Sequence, residues 1–489
     1  MKKSTPLKIL FASSEVTPFA KTGGLADVSG SLPAALASQG HRVVVVMPLY
    51  RSVMEGPFEL NIIEGALEVP YRGQVLKDKI FYFEVEPNLS VYFIRKNEFF
   101  DRSMLYSTPE GDYFDNADRF IYFSRGILNL SRLIGFKPDI IHCNDWQTSL
   151  VPSYLKSLYM YDAFFEGTRT ILTIHNLAYQ GIFPPEYMAV SGLPSEFYSL
   201  KGFEYYGQMN FLKGGIVFAD VINTVSEKYS LEIQTPEFGH GLEGMLKERS
   251  SDLHGVLNGV DYREWNPETD SHIVANYSEK DLSGKEKCKK DLIMAFKLNG
   301  SVKAPLVGIV SRMAAQKGFD ILAEAVDNLV ELGFLMVLLG TGDEIYEKQF
   351  VEIGKKHKGR FGVKIAFDNT LAHKIEAGAD MFLMPSRYEP CGLNQMYSLK
   401  YGTIPVVRAT GGLDDTIKEF DTKSGKGNGF KFAVYSSQAL LKAMKRAFEV
   451  YRNQELWLKL VKNGMSEDFS WERSARTYER IYQKALARK

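Results

Sequence analysis

Long apolar runs without polar alternation recur along the first half of the chain. They are LKILFASSEV at 7–16, HRVVVVMP at 41–48, PDIIHCND at 138–145, TRTILTIHN at 168–176 and DVINTVS at 220–226. A loop or a helical pattern follows each run, and residues 25–39 carry apolar side chains at helical spacing. Strands that are apolar on both sides are typical of parallel sheets covered by helices on both faces. The pattern predicts a doubly wound α/β domain.

The pattern changes between 59 and 98 and starts again near 305. The first of these segments contains LNIIEGALEVPYRG, KIFYFEVEP and LSVYFIRK, which predict short antiparallel strands inserted into the first domain. The second half contains APLVGIVSRM, FLMVLLGTGD, GVKIAF, DMFLMPSRYEP and TIPVVRATGGL, with helical patterns between them. Two such series predict two Rossmann-like doubly wound domains and argue against one long barrel.

The segment SDLHGVLNGVDYREWNP at 251–267 is rich in Gly, Asn, Asp and Pro, which favours a joint between domains. We therefore place the N-terminal domain at 1–253 and the second domain at 254–467. The tail, at 468–489, predicts a basic amphipathic helix.

Composition narrows the class of protein. The 489 residues are 45% hydrophobic and 24% charged, as in ordinary globular proteins, and Lys+Arg equal Asp+Glu at 59 each. This balance gives no reason to expect a nucleic-acid or membrane partner. Three cysteines lie far apart, which favours a reducing compartment. The N-terminus lacks an uninterrupted apolar core, and no run is long enough to span a bilayer, so we expect a cytoplasmic protein. The oligomeric state stays open.

Four loops that follow predicted strands carry candidate chemistry, because ligands of open parallel sheets bind at the carboxyl ends of the strands. The first loop lies in FASSEVTPFAKTGGLADVSGSLPAAL at 11–36. Gly23 and Gly24 would let the backbone approach an anion, the following helix offers N–H groups, and Lys21 adds a cation. A plain turn with an exposed lysine is the alternative.

The second loop is TIHNLAYQG at 173–181, in which His175 and Asn176 end a buried strand. Nearby, HCNDWQ at 142–147 places Asp145 beside Trp146, a pairing that suits sugar hydroxyls and a sugar's apolar face. A packing role for the strand-end histidine is the alternative. The histidine and cysteine of HCNDWQ lack a second ligand pair at zinc spacing, so we predict no metal site there.

The third and fourth loops are SRMAAQKG at 311–318 and SRYEPCGLNQ at 386–395. Arg312 and Lys317 would bind a diphosphate, and the alternative is that they are ordinary charged residues on the surface. Glu389 precedes a Pro-Cys-Gly turn at a helix start, where capping is the alternative. TGGL at 410–413 repeats the Gly-rich strand-to-helix join. The chain has no Asp-x-Asp motif, so we expect no divalent metal on the diphosphate.

Several motifs together resemble the bacterial glycogen synthases and plant starch synthases. They are KTGGLADVSGSLPAAL, HCNDWQT, TIHNLAYQG, NTVS, VLNGVDYREWNP, SRMAAQKG, PSRYEPCGLNQMYSLKYGTIPVVRATGGLDDT and GNGF. The resemblance covers nearly the whole chain, and the first and seventh motifs are long and specific.

This resemblance implies a GT-B fold, in which two Rossmann-like domains face each other across a deep cleft and the C-terminal helix crosses back to the N-terminal domain. It implies a retaining hexosyltransferase that moves glucose from ADP-glucose to the non-reducing 4-hydroxyl of an α-1,4-glucan such as glycogen. Neither a metal nor pyridoxal phosphate is expected.

The resemblance also implies roles for individual residues. The catalytic group would be His175, Glu389, Arg312 and Lys317. The donor-binding group would be Lys21, Gly23, Gly24, Asn258, Arg312, Lys317, Tyr388 near the adenine, Glu389, Cys391, Gly392, Leu393, Gly411 and Gly412. The remaining substrate-cleft residues would be Asp27, Asp145, Trp146 and Asn176.

One position departs from the wider pattern of retaining enzymes of this fold, many of which carry a second glutamate eight residues after the first. Here that position is Tyr397, as in the glycogen synthase branch. Two alternatives stay open: a UDP-glucose-dependent transferase of the same fold, and a glucan-binding paralogue that has lost catalysis.

Overall fold

The computed structural model describes residues 5–488 and divides into two compact units. The first unit comprises the chain up to Val225, Ser230–Gly259 and the chain from Trp471 onward. The second unit comprises Ser226–Tyr229 and Val260–Ser470. The first unit runs on to Gly259, where the sequence predicted 253. The reason is close packing, since a Cβ on Gly259 would lie 2.6 Å from Trp471 Cα of the same unit.

The strands are, in chain order, β1 (Lys8–Ala12), β2 (Arg42–Pro48), β3 (Asn61–Ile62), β4 (Leu67–Tyr71), β5 (Gln74–Asp78), β6 (Ile80–Glu86), β7 (Leu89–Ile94), β8 (Ser107–Thr108), β9 (Gly111–Asp112), β10 (Ile140–Asn144), β11 (Arg169–Ile174), β12 (Ile182–Phe183), β13 (Glu204–Tyr205), β14 (Gln208–Asn210), β15 (Val221–Thr224), β16 (Leu253–Gly255), β17 (Leu306–Val310), β18 (Leu335–Gly340), β19 (Phe361–Ile365), β20 (Met381–Met384), β21 (Ile404–Arg408) and β22 (Phe430–Phe432).

The α-helices are α1 (Gly24–Ser38), α2 (Arg51–Met54), α3 (Asn97–Phe100), α4 (Asn116–Leu133), α5 (Leu150–Leu155), α6 (Tyr187–Ser191), α7 (Phe211–Phe218), α8 (Glu227–Glu232), α9 (Glu243–Glu248), α10 (Ser283–Ala295), α11 (Phe319–Glu331), α12 (Glu344–Lys356), α13 (Asn369–Gly378), α14 (Asn394–Lys400), α15 (Gly411–Thr416), α16 (Ser437–Arg452), α17 (Gln454–Met465) and α18 (Trp471–Leu486). Short 3₁₀ turns occur at Trp146–Thr148, Ser195–Phe197 and Ala315–Lys317.

The first unit is built on a nine-stranded sheet with the order β16-β15-β11-β10-β1-β2-β7-β6-β3. Its central strands are parallel, with Phe11 of β1 opposite Val45 of β2 and His142 of β10. Val43–Met47 in β2 are all buried, as the unbroken apolar run predicted. The carboxyl ends of β1, β10 and β11 therefore lie along one edge and carry the candidate loops.

The 59–98 segment both forms antiparallel pairs and extends the main sheet. β4 pairs with β5, and β6 pairs with β3 and β7, in antiparallel register. The last strand, β7, also lies parallel to β2, with Val45 opposite Val91. The sequence predicted that residues 59–98 form a separate insertion and did not predict the pairing of β7 with β2. This pairing buries Val91 and Phe93 against the sheet.

The second unit contains a six-stranded sheet with the order β19-β18-β17-β20-β21-β22, parallel throughout. Val307, Met336 and Phe382 are among its fully buried side chains. Helices α11, α13 and α16 bury apolar faces against this core. The loops after β17, β20 and β21 carry the remaining candidate residues.

Helix α18 belongs to the first unit, where it packs on α1 and β11. Its buried positions recur at three- and four-residue spacing and include Tyr478 and Tyr482. The Tyr482 hydroxyl lies 2.8 Å from His142 Nδ1, and the Tyr478 hydroxyl accepts a hydrogen bond from Asn223 Nδ2 at 3.1 Å. The helix thus completes the polar interior of this unit. Within residues 5–488, no helix combines the length and apolarity needed to cross a bilayer.

Candidate functional site

The Lys-Thr-Gly-Gly loop of the first unit is held by a carboxylate that the sequence analysis did not single out. Glu15 is buried and accepts hydrogen bonds from the backbone N–H groups of Thr22 at 2.5 Å and Gly23 at 3.2 Å. It also accepts hydroxyl bonds from Thr22 at 2.7 Å and Tyr106 at 2.8 Å. A charged residue three positions after a buried strand was the available signal. Glu15 fixes the loop in which Lys21 lies.

Lys21 is 47% exposed and pairs with Asp27 on α1, at 2.6 Å. The sequence treated the two as separate site residues, and the structure joins them. A Cβ added to Gly23 or Gly24 would meet no atom within 4 Å, and Gly23 has an extended backbone. Within residues 5–488, no neighbouring atom therefore requires glycine at these two positions, and the space beside them stays open to a bound molecule.

His175 lies at the end of β11 as a neutral, partly buried ring. Its Nε2–H donates to Asn144 Oδ1 at 2.9 Å, and burial lowers the pKa of the imidazole to about 3. Asn144 is itself fixed by a 2.9 Å hydrogen bond to the Ala12 carbonyl. His175 can therefore offer a dipole and a lone pair, and it carries no positive charge at neutral pH.

Asp145 supports the His175 loop. It has φ of 54° and accepts the backbone N–H of His175 at 2.7 Å. Burial raises the pKa of its carboxyl group to about 7. Asn176, which follows His175, makes a local turn, because its Oδ1 accepts the N–H of Ala178 at 3.1 Å. Both side chains thus shape the loop from within.

Trp146 departs from the sugar-stacking role that the sequence predicted. The indole is 8% exposed and packs against Phe120 and Phe183, with ring centroids 4.9 and 5.5 Å away. A Cβ on Gly181 would lie 2.5 Å from the same ring. The correction follows from these contacts, since an enclosed ring has no open face for a sugar.

Two further polar residues of the first unit are buried. Asn258 has an Oδ1 atom with no hydrogen-bond partner among the described residues, which fits a site that accepts a donor group from a ligand. His142 lies between Thr173 Oγ1 and the Tyr482 hydroxyl, and burial lowers its pKa to about 3. His142 is therefore a structural residue.

In the second unit, a buried carboxylate and an ammonium group form the centre of the candidate site. Lys317 Nζ donates to both carboxylate oxygens of Glu389, at 2.9 and 2.7 Å. Glu389 is 5% exposed and also accepts the Ser386 hydroxyl at 2.9 Å. Gly318 brings the two loops together: its φ is 77°, and a Cβ there would lie 2.1 Å from the Pro385 carbonyl oxygen. Lys317 thus has a carboxylate partner that the sequence did not reveal.

Arg312 follows β17 on the same loop as Lys317 and is exposed. Tyr388 is partly buried, and its carbonyl accepts Gln316 Nε2 at 3.2 Å. The basic residues and the Tyr388–Glu389 loop therefore lie together in the second unit.

The turn after Glu389 leads into α14. Gly392 has φ of 71°, a left-handed conformation that favours glycine. Gln395 Nε2 donates to the carbonyls of Cys391 and Gly392 at 3.1 and 3.0 Å, and Leu393 is the residue before the helix. The turn is fixed before any ligand arrives.

Gly411 and Gly412 serve the protein's own packing. Gly411 has φ of 44°, and a Cβ there would lie 1.9 Å from the Glu389 carbonyl oxygen. A Cβ on Gly412 would lie 2.1 Å from the Cys391 carbonyl oxygen, and its N–H donates to Glu389 O at 3.1 Å. The resemblance implied that these glycines bind the donor, which stays a prediction; in the structure they seat the Glu389 loop.

Tyr397 packs where other retaining enzymes carry the second glutamate. Its ring stacks on Trp265 at 4.0 Å, and Trp265 stacks on His373 at 3.8 Å. No group of three or more His, Cys, Asp or Glu side chains within residues 5–488 is arranged to hold a metal ion.

Comparison with known proteins places these features in a family. The model "Starch synthase catalytic domain" matches residues 8–248, and the model "Glycosyl transferases group 1" matches residues 293–465. A "Glycogen synthase" of Koribacter versatilis (strain Ellin345) is 49% identical over 480 residues, covering 98% of each chain. A "Glycogen synthase" of Thermosipho africanus (strain TCF52B) is 48% identical over 486 residues, covering 98% of this chain and 99% of that protein. The chain belongs to the glycogen and starch synthase family. The enzyme class predicted from the sequence, a glycosyltransferase, is confirmed.

Solved structures agree with this family. The catalytic domain of starch synthase IV from Arabidopsis thaliana, bound to ADP and acarbose, superposes with a TM-score of 0.91 and 35% identity, covering 99% of this chain and 100% of that one. A sucrose-phosphate synthase from Thermosynechococcus elongatus has a TM-score of 0.61 at 16% identity, covering 98% and 99% of the two chains, and shows the fold alone. The predicted GT-B fold class is confirmed.

Proposed function

We propose that this glycogen and starch synthase family member transfers glucose from ADP-glucose to the non-reducing 4-hydroxyl of an α-1,4-glucan with retention of configuration. The names of the full-length relatives support a glucan product. The ADP in the Arabidopsis starch synthase domain supports an adenine nucleotide donor. The residue roles below are part of the same proposal.

The observation that carries the proposal is the buried Glu389 carboxylate, held by Lys317 and Ser386 at the turn into α14. A carboxylate that is oriented by two donors keeps acceptor capacity for sugar hydroxyl groups. The turn Cys391–Leu393 lies beside it at the start of the helix. We assign the donor glucose to Glu389 and to the backbone of this turn.

The departing nucleotide carries the negative charge that develops in the reaction. Lys317 and Arg312 lie on one loop after β17, and preorganised cations of this kind stabilise such charge. Lys21 on the first unit is the third cation that we assign to the donor. The leaving phosphate accepts the proton of the attacking hydroxyl, so the reaction needs no cationic histidine. The low pKa of His175 fits this assignment, because a neutral ring can lie beside a sugar that gains positive character.

A radiochemical assay tests the proposal. ADP-[14C]glucose or UDP-[14C]glucose is incubated with glycogen, and label in precipitated glucan is counted with and without EDTA. We expect far faster incorporation from ADP-glucose and no effect of EDTA. Equal or faster incorporation from UDP-glucose would overturn the nucleotide assignment, and rescue of an EDTA-treated enzyme by magnesium would overturn the metal-free mechanism.

A matched pair of variants connects the activity to the second unit. Glu389→Gln removes the carboxylate with little change of shape, and Glu264→Gln makes the same change at an exposed position of the same unit. We expect incorporation to fall at least tenfold for Glu389→Gln and to stay at the parental rate for Glu264→Gln. No incorporation by the parent from either donor, with retained glycogen binding, would instead identify a glucan-binding paralogue.

A further inference from the structure

The hairpin formed by β13 and β14 ends in a turn that its own sequence does not favour. Tyr205 pairs with Gln208, which leaves Tyr206 and Gly207 as a two-residue turn. Their φ values are 48° and 78°, as in a type I′ turn. The first position of such a turn normally holds Asn, Asp or Gly, because a bulky L-residue is crowded in the left-handed region. Such a conformation persists only where the surrounding structure supports it.

Three contacts hold the hairpin in place. Glu204 Oε1 accepts the N–H of Gly207 at 2.8 Å, which closes the turn. The buried Lys213, on α7, donates to the carbonyls of Leu200, at 2.8 Å, and of Glu204. The base of the turn is therefore held by the buried ammonium group of Lys213. The strain at Tyr206 is maintained by this support.

The supported turn presents an aromatic ring to solvent. Tyr206 is 83% exposed. The ring of Tyr205 meets it edge to face, with centroids 4.8 Å apart and planes at 85°. The Tyr205 hydroxyl donates to the His240 carbonyl at 2.9 Å, and a Cβ on Gly241 would lie 2.3 Å from that hydroxyl. One fixed ring thus braces a second ring that is open to solvent.

The hairpin and the loop that carries His175 hydrogen-bond to the same carbonyl group, that of His240. Gln180 Nε2 donates to the same His240 carbonyl at 3.0 Å, and Gln180 closes the 173–181 loop. Gln180 Oε1 also accepts Asn210 Nδ2, from the hairpin's second strand, at 2.6 Å. The exposed ring and the candidate site loop are therefore parts of one hydrogen-bonded structure within the first unit.

We propose that Tyr206, braced by Tyr205, stacks against a glucose unit of the bound α-1,4-glucan. The apolar face of a pyranose packs on an aromatic ring, and a tyrosine with two rotatable bonds loses little entropy on contact. The turn residues Tyr205–Gln208 carry no charge, and the flanking Glu204 is acidic, which favours a neutral polymer over an anionic ligand. The inference rests on the proposed function for the identity of the glucan.

Affinity electrophoresis in native gels that contain glycogen, without donor, tests the inference. Tyr206→Asn removes the ring and installs a residue that the turn prefers. Tyr206→Phe keeps the ring. Tyr161→Asn removes a 95% exposed tyrosine elsewhere on the same unit. We expect the apparent Kd for glycogen to rise about tenfold for Tyr206→Asn, the effect of uncovering one sugar face. Tyr206→Phe and Tyr161→Asn should match the parent.

Stability separates binding from folding. The melting temperature of Tyr206→Asn should equal or exceed that of the parent, because asparagine tolerates the left-handed region. Unchanged glycogen retardation of Tyr206→Asn would overturn the inference, as would an equal loss for Tyr161→Asn. A change in gel-filtration volume without loss of glycogen affinity would make Tyr206 an interface residue instead. Failure of glucose transfer with intact, Tyr206-dependent glycogen retardation would refute the proposed function and leave this inference standing.

Discussion

Removing the ammonium group of Lys317 leaves the Glu389 carboxylate without its cation, and the burial of the two side chains sets the cost. The Glu389 side chain is only 7% exposed, so Lys317→Met leaves its carboxylate buried without a cation. Breaking a buried ion pair costs about 3–5 kcal/mol, and we expect about 3 kcal/mol here because the Ser386 hydroxyl still donates. For a unit of this size the loss corresponds to a fall of roughly 6–12 °C in melting temperature.

Removing the carboxylate should cost less stability than removing the ammonium group. In Glu389→Gln the lysine is left unpaired but is 22% exposed, so water can solvate it, and we expect a loss of about 1 kcal/mol. The double variant no longer buries an unpaired charge, so the coupling between the two sites should be about 2 kcal/mol. Lys317→Met/Glu389→Gln should therefore melt roughly 2–4 °C above Lys317→Met and yet remain as inactive.

Differential scanning calorimetry of the four proteins measures this cycle. Lys348 and Glu344 form a control pair on the same unit, one turn apart on α12 and 73% and 77% exposed. Their coupling should be about 0.3–0.5 kcal/mol. If the melting shifts of Lys317→Met and Glu389→Gln simply add in the double variant, the pair is a surface contact and the reasoning fails.

Five further changes test other parts of the site. Lys21→Ala and Gly24→Val should each lower kcat/KM for ADP-glucose by on the order of ten- to a thousandfold, with an unchanged melting temperature, since neither side chain touches the unit's core. Gly411→Ala should lower stability by about 3 kcal/mol in calorimetry, because its Cβ would lie 1.9 Å from a carbonyl oxygen. His175→Ala should lose most of kcat, and the parental kcat should show no histidine titration step between about pH 5 and 8, since the His175 pKa lies near 3. With its pKa raised to about 7, Asp145 holds a proton that the unfolded chain releases near pH 4, so stability should fall between these values as pH rises. Urea unfolding of Asp145→Asn should lack that slope.

Each of these outcomes has a contrary result. Parental kcat/KM in Lys21→Ala at sub-saturating donor would make the Lys-Thr-Gly-Gly loop a plain turn. A stable Gly411→Ala would remove the packing argument for that glycine. A His175→Ala variant that melts far lower, with a fully active folded fraction, would make the imidazole structural. Parallel pH profiles of stability for the parent and Asp145→Asn would assign the titration to another group.

The sequence revealed the sheet and its loops because burial leaves a local signature. Val43–Met47 reads as a strand covered on both faces, and the candidate loops follow such runs. Contacts between distant residues leave no such pattern. Lys317 and Glu389 are 72 positions apart, and the bond between Glu15 and Tyr106 spans 91. Only folding brings these groups into contact.

The prediction of a sugar site from two adjacent residues was wrong for one of them. Trp146 follows Asp145, and the pair resembles a sugar site in composition. The 3₁₀ turn at Trp146–Thr148 instead directs the indole into an aromatic cluster, while the carboxylate bonds to the backbone of His175. Adjacent residues in a tight turn diverge, so proximity in sequence did not imply a shared surface.

The placement of α18 in the first unit has a consequence for biosynthesis. The tyrosines that contact His142 and Asn223 lie 340 and 255 residues further along the chain. The second unit, by contrast, is nearly continuous in sequence. A ribosome working at roughly 5–20 residues per second needs roughly 10–40 s to add the stretch from Val260 to Ser470. During that interval the nascent first unit lacks α18, so the surface on α1 and β11 that this helix covers is exposed, and chaperone contact should concentrate there.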